Sequence, residues 1–293
     1  MRIPLPFKKK SKLNAMDGFQ KVLVVLLVLF AIFMLLPLIY IFNHAFKPYN
    51  ELFVYPPNIF VREPTVQNFM ELFLVATSST VPVTRYLFNS IVISASAVVL
   101  VTVVSALCAY PISKHKFPGH KIVFATIILT LMFAPEAVQI PRYLVVSHLG
   151  IMNTYFGHIL PLLAMPVGVF LMKQFIDQVP GELLEAARID GAPEFMVFLR
   201  IVMPVCLPAV ATVAILTFQN SWSNVETSTL FMQDDEMKNF PFFLQTLTNN
   251  LANTVARQGA AAAAAVVMFL PNLIIFLTFQ SKVIATMAHS GIK

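Results

Sequence analysis

The sequence predicts an all-α integral membrane protein with six transmembrane helices. The chain of 293 residues is 58% hydrophobic and only 12% charged, whereas a soluble globular domain carries about 25% charged residues. Its apolar residues also fall into blocks of about 20, the length that an α-helix needs to cross the hydrocarbon core of a bilayer. Composition and spacing together therefore exclude an ordinary soluble domain.

Each of the apolar blocks is predicted as one transmembrane helix. The first block is too long for the apolar core of a cleavable signal peptide and lacks a small-residue cleavage site after it, so we expect it to remain in the protein. Prolines interrupt the fourth and fifth blocks, which bundles tolerate because neighbouring groups satisfy the freed carbonyls. Serine and alanine residues in the second and sixth blocks favour close helix packing. The predicted spans are Val22–Phe42, Leu87–Tyr110, Ile122–Ile140, Phe156–Phe175, Ile201–Asn220 and Ala260–Phe279.

The distribution of lysine and arginine predicts the orientation. The loop after the second span contains Lys114, Lys116 and Lys121 without an acidic residue, and the N-terminal tail is also basic. Basic segments remain in the cytoplasm, so six spans place both termini there. The predicted organisation is a basic tail (1–21), a first transmembrane helix (22–42), an external loop (43–86), a five-helix core (87–279) with a cytoplasmic loop (176–200), and a cytoplasmic C-terminal tail (280–293).

The basic N-terminal tail has two interpretations. It contains Arg2, Lys8, Lys9, Lys10, Lys12 and Lys21 and accounts for much of the net charge of +6. Such a tail could bind nucleic acid, but no nucleic-acid-binding motif accompanies it. Topology, together with attraction to anionic lipid at around 1 kcal/mol per basic residue, explains the tail better. We therefore expect the lipid bilayer, and no nucleic acid, among the partners.

A short polar segment between the fourth and fifth spans predicts a cytoplasmic helix. Pro180 suits a first helical position because its missing N–H is not needed there. Glu182 and Glu185 follow in the early turns, near the positive end of the helix dipole. Gly191 suits the end of the helix because glycine readily adopts a left-handed conformation. Two alanines on such a helix would let it fit closely into a cleft on a partner.

This segment carries a specific resemblance. The run EAARIDGAPEFMVFLRIVMP resembles the cytoplasmic EAA loop of permease subunits in binding-protein-dependent ABC importers, with Met203 in place of the usual leucine. The flanking segments resemble the carbohydrate-uptake, maltose-permease branch, and the likeness extends from about Phe19 to the C-terminus. The closing run FQSKVIATMAHSGIK is similar to a branch that imports larger oligosaccharides, including uronate polymers such as alginate.

The resemblance implies a type I ABC importer permease in a bacterial inner membrane, multi-pass and not itself an enzyme. The implied partners are a second homologous permease, a homodimer of soluble ATPase subunits, an extracytoplasmic substrate-binding protein and an oligosaccharide. ATP and Mg would bind the ATPase, and we expect no cofactor, metal or catalytic residue in this chain. The residues implied in coupling to the ATPase are Glu182, Leu183, Glu185, Ala186, Ala187, Asp190, Gly191, Phe195, Ile201 and Pro204.

Polar residues at the outer ends of the third and fifth spans predict a substrate pathway. Amide groups can bond to sugar hydroxyls, and an aromatic ring can stack on the C–H face of a sugar. An equally weighted interpretation is that these residues fix the spans at the membrane interface, where tryptophan is common. The candidates are Glu136, Gln139, Tyr143, Asn220, Trp222, Asn224 and Glu226.

Other classes are less consistent with the sequence. The phosphate-loop pattern G-x-x-x-x-G-K-[ST] and the zinc motif H-E-x-x-H are absent. Cys108 and Cys206 lie in or beside apolar spans and are interpreted as small hydrophobic residues. A secondary transporter would show repeats and ion-coupling carboxylates within its spans, and no internal repeat is visible. A membrane enzyme would need a cluster of catalytic residues, and the sequence shows no such cluster. An ABC permease for amino acids, peptides or polyol phosphates stays an alternative.

Overall fold

The computed structural model describes residues 17–52, 54, 58, 60–78, 81–249 and 258–290, and the regular structure within these ranges is helical. The basic residues from Arg2 to Lys12 lie outside the described residues. The α-helices are α1 (Gly18–Phe46), α2 (Tyr49–Leu52), α3 (Gln67–Ser78), α4 (Val83–Lys114), α5 (His120–Thr130), α6 (Gln139–His148), α7 (Tyr155–Leu163), α8 (Pro166–Asp177), α9 (Gly181–Ile189), α10 (Glu194–Val197), α11 (Met203–Val205), α12 (Leu207–Trp222), α13 (Glu226–Phe231), α14 (Phe240–Asn249) and α15 (Gln258–Ser290). Turns of 3-10 helix lie at Pro135–Val138 and Asp235–Met237, and a π-helical turn lies at Phe198–Val202.

Three of the helices are long and apolar enough to cross a membrane alone. They are α1, α4 and the Gln258–Gln280 part of α15, and they contain the predicted first, second and sixth spans. α15 continues to Ser290, so the helix extends well beyond the predicted end of the last span at Phe279.

The other three predicted spans are bent pairs of helices. The bend is 110° between α5 and the segment Pro135–His148, 46° between α7 and α8, and 81° at the junction between α11 and α12. Proline explains where two of these bends lie, because the residue before a proline is pushed out of the α conformation. Ala134 before Pro135 and Met165 before Pro166 both leave the helical region.

The prediction of one continuous helix over Ile122–Ile140 is wrong. α5 contains 11 residues, which gives about 16 Å of helix at 1.5 Å per residue, whereas the hydrocarbon core is about 30 Å thick. After Thr130 the chain turns through the 3-10 segment into α6, which occupies much of the interval between the predicted third span (ending at Ile140) and fourth span (beginning at Phe156). This part of the chain is therefore a broken span or a re-entrant loop.

The central helix α4 packs against α8 and α12. Ser105, Ala106 and Ala109 of α4 are buried, as expected for a span that uses small residues for close packing. Gly168 of α8 makes the closest approach, because a Cβ atom at this position would lie 2.6 Å from Ser105 Oγ and 3.3 Å from Val213 Cγ1. The contact between α4 and α8 thus depends on the absence of a side chain at Gly168.

The segment after α1 folds back onto the helical bundle. Asn68 of α3 is buried, and its Nδ2 donates hydrogen bonds to the carbonyl oxygens of Ala45 (2.9 Å) and Lys47 (2.7 Å). These bonds satisfy carbonyls at the C-terminal end of α1, which have no partner within the helix. α3 also packs on α15, so part of the predicted loop 43–86 belongs to the packed structure.

The packing at Gly168 generates the first prediction. Gly168→Val should lower the thermal unfolding midpoint of the detergent-purified chain, because overpacking costs about 1–3 kcal/mol. Gly18→Val is the matched control, since a Cβ at Gly18 meets nothing within 4 Å. Equal midpoints for the two variants would contradict the close approach of α4 and α8.

Candidate functional site: the α9 loop and the opposite end of the bundle

The α9 helix lies where the sequence predicts it, with one change at its start. The helix begins at Gly181, and Pro180 is its N-cap residue in an extended conformation, so the predicted placement of Pro180 at the first helical position is off by one. Glu182 lies in the first turn and Arg188 in the last turn. Both charges are favourable with respect to the helix dipole.

Gly191 ends α9 in the way the sequence predicts. Its φ angle is +79°. The N–H of Gly191 donates to the carbonyl of Arg188, and the N–H of Ala192 donates to the carbonyl of Ala187, both at 3.0 Å. This pair of bonds is a Schellman motif, in which a left-handed residue lets two otherwise unsatisfied carbonyls be capped. The motif fixes the direction in which the chain leaves α9.

One apolar side chain secures the inner face of α9. Leu184 is buried in a cluster with Met172 and Ile176 of α8 and with Val197 and Phe198. Ala187 lies at the edge of the same cluster. Fully burying a leucine side chain stabilises a contact by about 1.5–3 kcal/mol. α9 is therefore seated on the end of the bundle.

Polar contacts join α9 to α4 through Glu194. The Glu194 carboxylate accepts hydrogen bonds from Arg188 Nη2 at 3.0 Å and from Arg188 Nε at 3.1 Å. Tyr110 of α4 donates its hydroxyl to the same carboxylate, and His115 Nε2 lies 3.2 Å from it. The hydrogen bonds to Glu194 are the first cause of the raised pKa of Arg188. Glu194 thus links α9, α10 and the end of α4.

The connection between α8 and α9 is also held by α4. Lys114 Nζ donates to the carbonyl of Val179 at 2.7 Å, and Ser113 Oγ donates to Asp177 Oδ1 at 2.5 Å. Asp177 also pairs with Lys173 at 2.6 Å. Both ends of the α9 segment therefore contact the last turns of α4.

The outer face of α9 and α10 combines acidic and large apolar side chains. Leu183 is 48% exposed, Ile189 86% and Phe195 64%. We name this face, with Glu182, Glu185 and Ala186, the α9 face. Of the residues implied in coupling, Ala187 and Ile201 are half-buried, and the exposed ones are Glu182, Leu183, Glu185, Ala186, Asp190, Gly191, Phe195 and Pro204.

Sequence reasoning missed three residues in this region. Ile189 is the most exposed large apolar side chain of the loop, and Arg188 and Glu194 form its main ion pair. The opposite charges six residues apart, with Gly191 between them, were a usable signal, because the tight turn brings them together. No sequence pattern indicated that Tyr110 would reach Glu194.

The second group of candidates lies at the other end of the bundle, and only some of its members meet. Glu226 of α13 accepts two hydrogen bonds from Arg142 Nη1 of α6, at 2.9 and 3.1 Å. Tyr143 stacks on Phe231, with ring centroids 6.5 Å apart. Arg142, which the sequence analysis did not single out, also lines a cleft of about 680 Å³ between α5, α6 and α7.

Trp222 has a different environment from the predicted one. It is only 4% exposed, its ring stacks on Phe218, and its Nε1 donates to the carbonyl of Met268 in α15 at 2.9 Å. Pro271 perturbs the hydrogen bonding of α15 one turn further on. Trp222 therefore packs α12 against α15, a structural contact that accounts for its ring and its N–H together.

Of the remaining pathway candidates, one stabilises local structure and the others are exposed or half-buried. Asn224 Oδ1 accepts hydrogen bonds from the N–H and the hydroxyl of Thr227, both at 2.9 Å, and so stabilises the start of α13. Glu136 and Asn220 are exposed, and Gln139 is half-buried. Because Trp222 faces α15 while Arg142 and Glu226 join α6 and α13, the described contacts do not assemble the predicted residues into one site.

Bent apolar spans, with a short capped helix presented at one end, are typical of a multi-pass membrane protein. Residues 102–281 match the family of binding-protein-dependent transport system inner membrane components, and the chain belongs to that family. It is 30% identical to the arabinooligosaccharides transport system permease protein AraQ of Bacillus subtilis, over 89% of this chain and 93% of that protein. It is 28% identical to the sulfoquinovosyl glycerol transport system permease protein SmoH of Agrobacterium fabrum, over 88% and 89% of the two chains.

A solved structure has the same fold. A chain of a bacterial ABC transporter involved in the import of the acidic polysaccharide alginate superposes with a TM-score of 0.77, at 22% identity, over 94% of this chain and 99% of that chain. The predicted all-α, type I permease fold is therefore confirmed. So is the predicted membership of the permease family, whose members are inner-membrane transport subunits.

The contacts of Glu194 generate the second prediction. Glu194→Gln removes the charge that Arg188 pairs with, which should cost about 1 kcal/mol for a partly exposed pair and raise the hydrogen-exchange rates of α9 amides roughly five-fold. Asp235→Asn is the control, because it breaks the Lys238–Asp235 pair (2.7 Å) at the opposite end of the bundle. Unchanged exchange in α9 after Glu194→Gln would show that the carboxylate does not hold this helix.

Proposed function

We propose that this chain is one of two transmembrane permease subunits of an ATP-driven importer for oligosaccharides. The relatives support a carbohydrate substrate, since their names specify arabinooligosaccharides, sulfoquinovosyl glycerol and, for the protein NgcG of Streptomyces coelicolor, diacetylchitobiose. These ligands share hydroxyl-rich rings but differ in size and charge. The family membership favours this function over a secondary transporter.

The single observation that carries the proposal is the geometry of the α9 face. A helix with exposed Leu183, Ile189 and Phe195 leaves apolar area that a partner can cover, and Glu182 and Glu185 add charge complementarity to a basic surface. Apolar centres with charged surroundings are typical of protein interfaces. The proposed partner at this face is a soluble ATPase, present as a homodimer, which would bind the ATP and Mg.

The contacts of α9 support a mechanism of transmission. If the two ATPase subunits close on ATP, each pushes a coupling helix, and movement of α9 passes through Arg188 and Glu194 to Tyr110 of α4. Because α4 packs against α8 and α12, a shift of α4 moves the centre of the bundle. ATP binding would thus open the cavity outward, and hydrolysis would reset it. The chain itself performs no bond cleavage.

The orientation and the remaining partners are part of the same proposal. The α9 end also carries Lys114, Lys116 and Lys121, which supports a cytoplasmic position for this end. With six spans, both termini would lie on the same side. A second homologous permease would complete the translocation path. An external substrate-binding protein would deliver the ligand at the opposite end, and a solved alginate ABC transporter of the same fold was crystallised with an alginate pentasaccharide-bound periplasmic protein.

The charge of the substrate is the most specific part of the proposal. Arg142 lines the cleft between α5, α6 and α7 and pairs there with Glu226. Uptake of acidic, alginate-like oligosaccharides would require their carboxylates to compete with Glu226 for this guanidinium group. Neutral oligosaccharides are the alternative, and the name of the relative AraQ, which specifies arabinooligosaccharides, supports them. Other solute classes, namely amino acids, peptides and polyol phosphates, stay as competing substrates. Uptake of matched neutral and uronate oligosaccharides by the reconstituted importer would distinguish these cases.

The third prediction concerns coupling. Gly191→Pro cannot adopt the observed φ of +79°, because proline is fixed near −65°, and Glu185→Lys reverses an exposed charge on the α9 face. Both variants should insert and assemble but lose stimulation of ATP hydrolysis by loaded binding protein in proteoliposomes.

Two matched variants serve as controls for coupling. Gly191→Asn should retain most of the stimulation, since asparagine tolerates the left-handed conformation. Asp17→Lys makes the same charge change at an exposed position at the start of α1, away from both proposed docking surfaces, and should leave ATPase coupling intact. Full stimulation in both Gly191→Pro and Glu185→Lys would exclude α9 as the point of transmission.

The fourth prediction separates a substrate contact from a packing contact. Asn220→Leu should slow sugar uptake several-fold, as a lost hydrogen bond costs about 1 kcal/mol, without changing the unfolding midpoint. Trp222→Ala should lower the midpoint, because truncating a buried tryptophan costs about 3–5 kcal/mol. Uptake and unfolding are measured on the same preparations. A normal midpoint with abolished uptake in Trp222→Ala would assign Trp222 to the substrate instead.

A further inference from the structure

The connection between α4 and α5 encloses a cavity that the transport function does not use. The cavity has a volume of about 300 Å³ and lies between this connection and α8. It is at the same end of the molecule as α9, because Ser113 on its wall contacts Asp177 just before α9. We name it the basic cavity, since its lining includes His115, Lys116, His120, Lys121 and Lys173.

The positive charge of the basic cavity is only partly neutralised. Lys173 pairs with Asp177 at 2.6 Å, and His115 lies 3.2 Å from Glu194. Within the described ranges, no carboxylate lies within ion-pair distance of Lys116 or Lys121. Two lysines with no counter-ion therefore contribute to a single small cavity.

Helix stability does not explain why basic residues line this cavity. His120 and Lys121 occupy the first turn of α5, which contains no acidic residue. Basic side chains are unfavourable at the positive end of a helix dipole. Like-charged neighbours in the α4–α5 connection add repulsion. An anion in the cavity would relieve both costs.

The surroundings of the basic cavity are apolar on the α5 side. Phe124 forms part of its lining, and Lys173 Nζ lies 4.6 Å from the centroid of the Phe124 ring. One turn further along the same side of α5, Ile128 is 38% exposed, and Leu131 at the end of the helix is 40% exposed. An anionic group with apolar chains attached would satisfy the lysines and cover these side chains at the same time.

We propose that the basic cavity binds the phosphate group of an anionic phospholipid from the leaflet on the α9 side of the membrane. Basic pockets between transmembrane helices on that side suit acidic head groups. The ammonium groups of Lys116 and Lys121 would donate hydrogen bonds to the phosphate oxygens, and the acyl chains would lie along Ile128 and Leu131. Inorganic phosphate shares the head-group chemistry but lacks the chains.

The test uses the assembled transporter in detergent, titrated with phosphatidylglycerol and followed by native mass spectrometry. Lys116→Gln combined with Lys121→Gln should weaken phosphatidylglycerol binding roughly 30-fold, or about five-fold for each basic residue removed. Both lysines are exposed, so the substitutions do not disturb packing. Phosphatidylcholine, which has no net charge, should bind weakly to both proteins.

The matched control removes the same charge elsewhere. Arg62→Gln combined with Arg200→Gln alters two exposed basic residues outside the cavity and outside the basic N-terminal tail and should leave phosphatidylglycerol binding unchanged. Equal affinity in the cavity variant and the unmodified protein, or equal weakening in the control, would overturn the proposal.

Two further outcomes identify a different occupant. Inorganic phosphate that binds as tightly as phosphatidylglycerol, and loses affinity in the same cavity variant, would overturn the lipid as the source of the phosphate. A cavity variant that retains phosphatidylglycerol but no longer co-purifies with the ATPase would show a protein contact. Neither result bears on the α9 face, whose side chains are not altered.

Discussion

The Glu194 carboxylate is the contact that joins the C-terminal end of α9 to the membrane-spanning helix α4. It accepts hydrogen bonds from Arg188 at the end of α9 and from Tyr110 near the end of α4. It is also the first residue of α10, which leads through the π-helical turn into α11 and α12. A partner that displaces α9 therefore acts on two spans at once. Without this carboxylate, the C-terminal end of α9 would lose its polar link to α4, and the buried Leu184 would still pack the helix on the bundle.

The membrane environment constrains the rest of the architecture. Backbone groups in lipid must be hydrogen-bonded within the protein, so each break between helices requires compensation by neighbours. The breaks in this chain lie beside prolines. Polar side chains also bond across helices, as the indole N–H of Trp222 does to the Met268 carbonyl of α15. Bent spans of this kind can change their angle without unfolding, which a transport cycle requires.

Much of this structure was predictable from the sequence, for identifiable reasons. Apolar length alone predicted α1, α4 and α15. The end of α9 at Gly191 was also predictable, because glycine readily adopts the left-handed conformation that ends a helix in this way. The third span was not predictable as drawn. Hydropathy continues across Ala134 and Pro135, and a proline shows where a helix breaks but not that the chain turns by 110° there.

The site residues show the same limit. In the sequence, an indole beside amide groups is equally consistent with a sugar contact and with a packing contact. Only the hydrogen bond to α15 shows that Trp222 makes a packing contact. Arg142 and Glu226 lie 84 positions apart, so no local pattern could join them. The contact of Tyr110 with Glu194 is equally remote in sequence. Local rules thus predicted the α9 helix, while the long-range contacts needed the folded chain.

The central claim is that the ATPase docks on the α9 face. The most direct measurement is photo-crosslinking from a benzoylphenylalanine introduced at Ile189, with Leu149 as the control, since it is also an exposed apolar residue (63%) but lies at the opposite end of the bundle. In inner-membrane vesicles that contain the assembled importer, irradiation should join the Ile189 probe to the ATPase and leave the Leu149 probe unlinked to it. A crosslink to the ATPase from Leu149 and none from Ile189 would contradict the account.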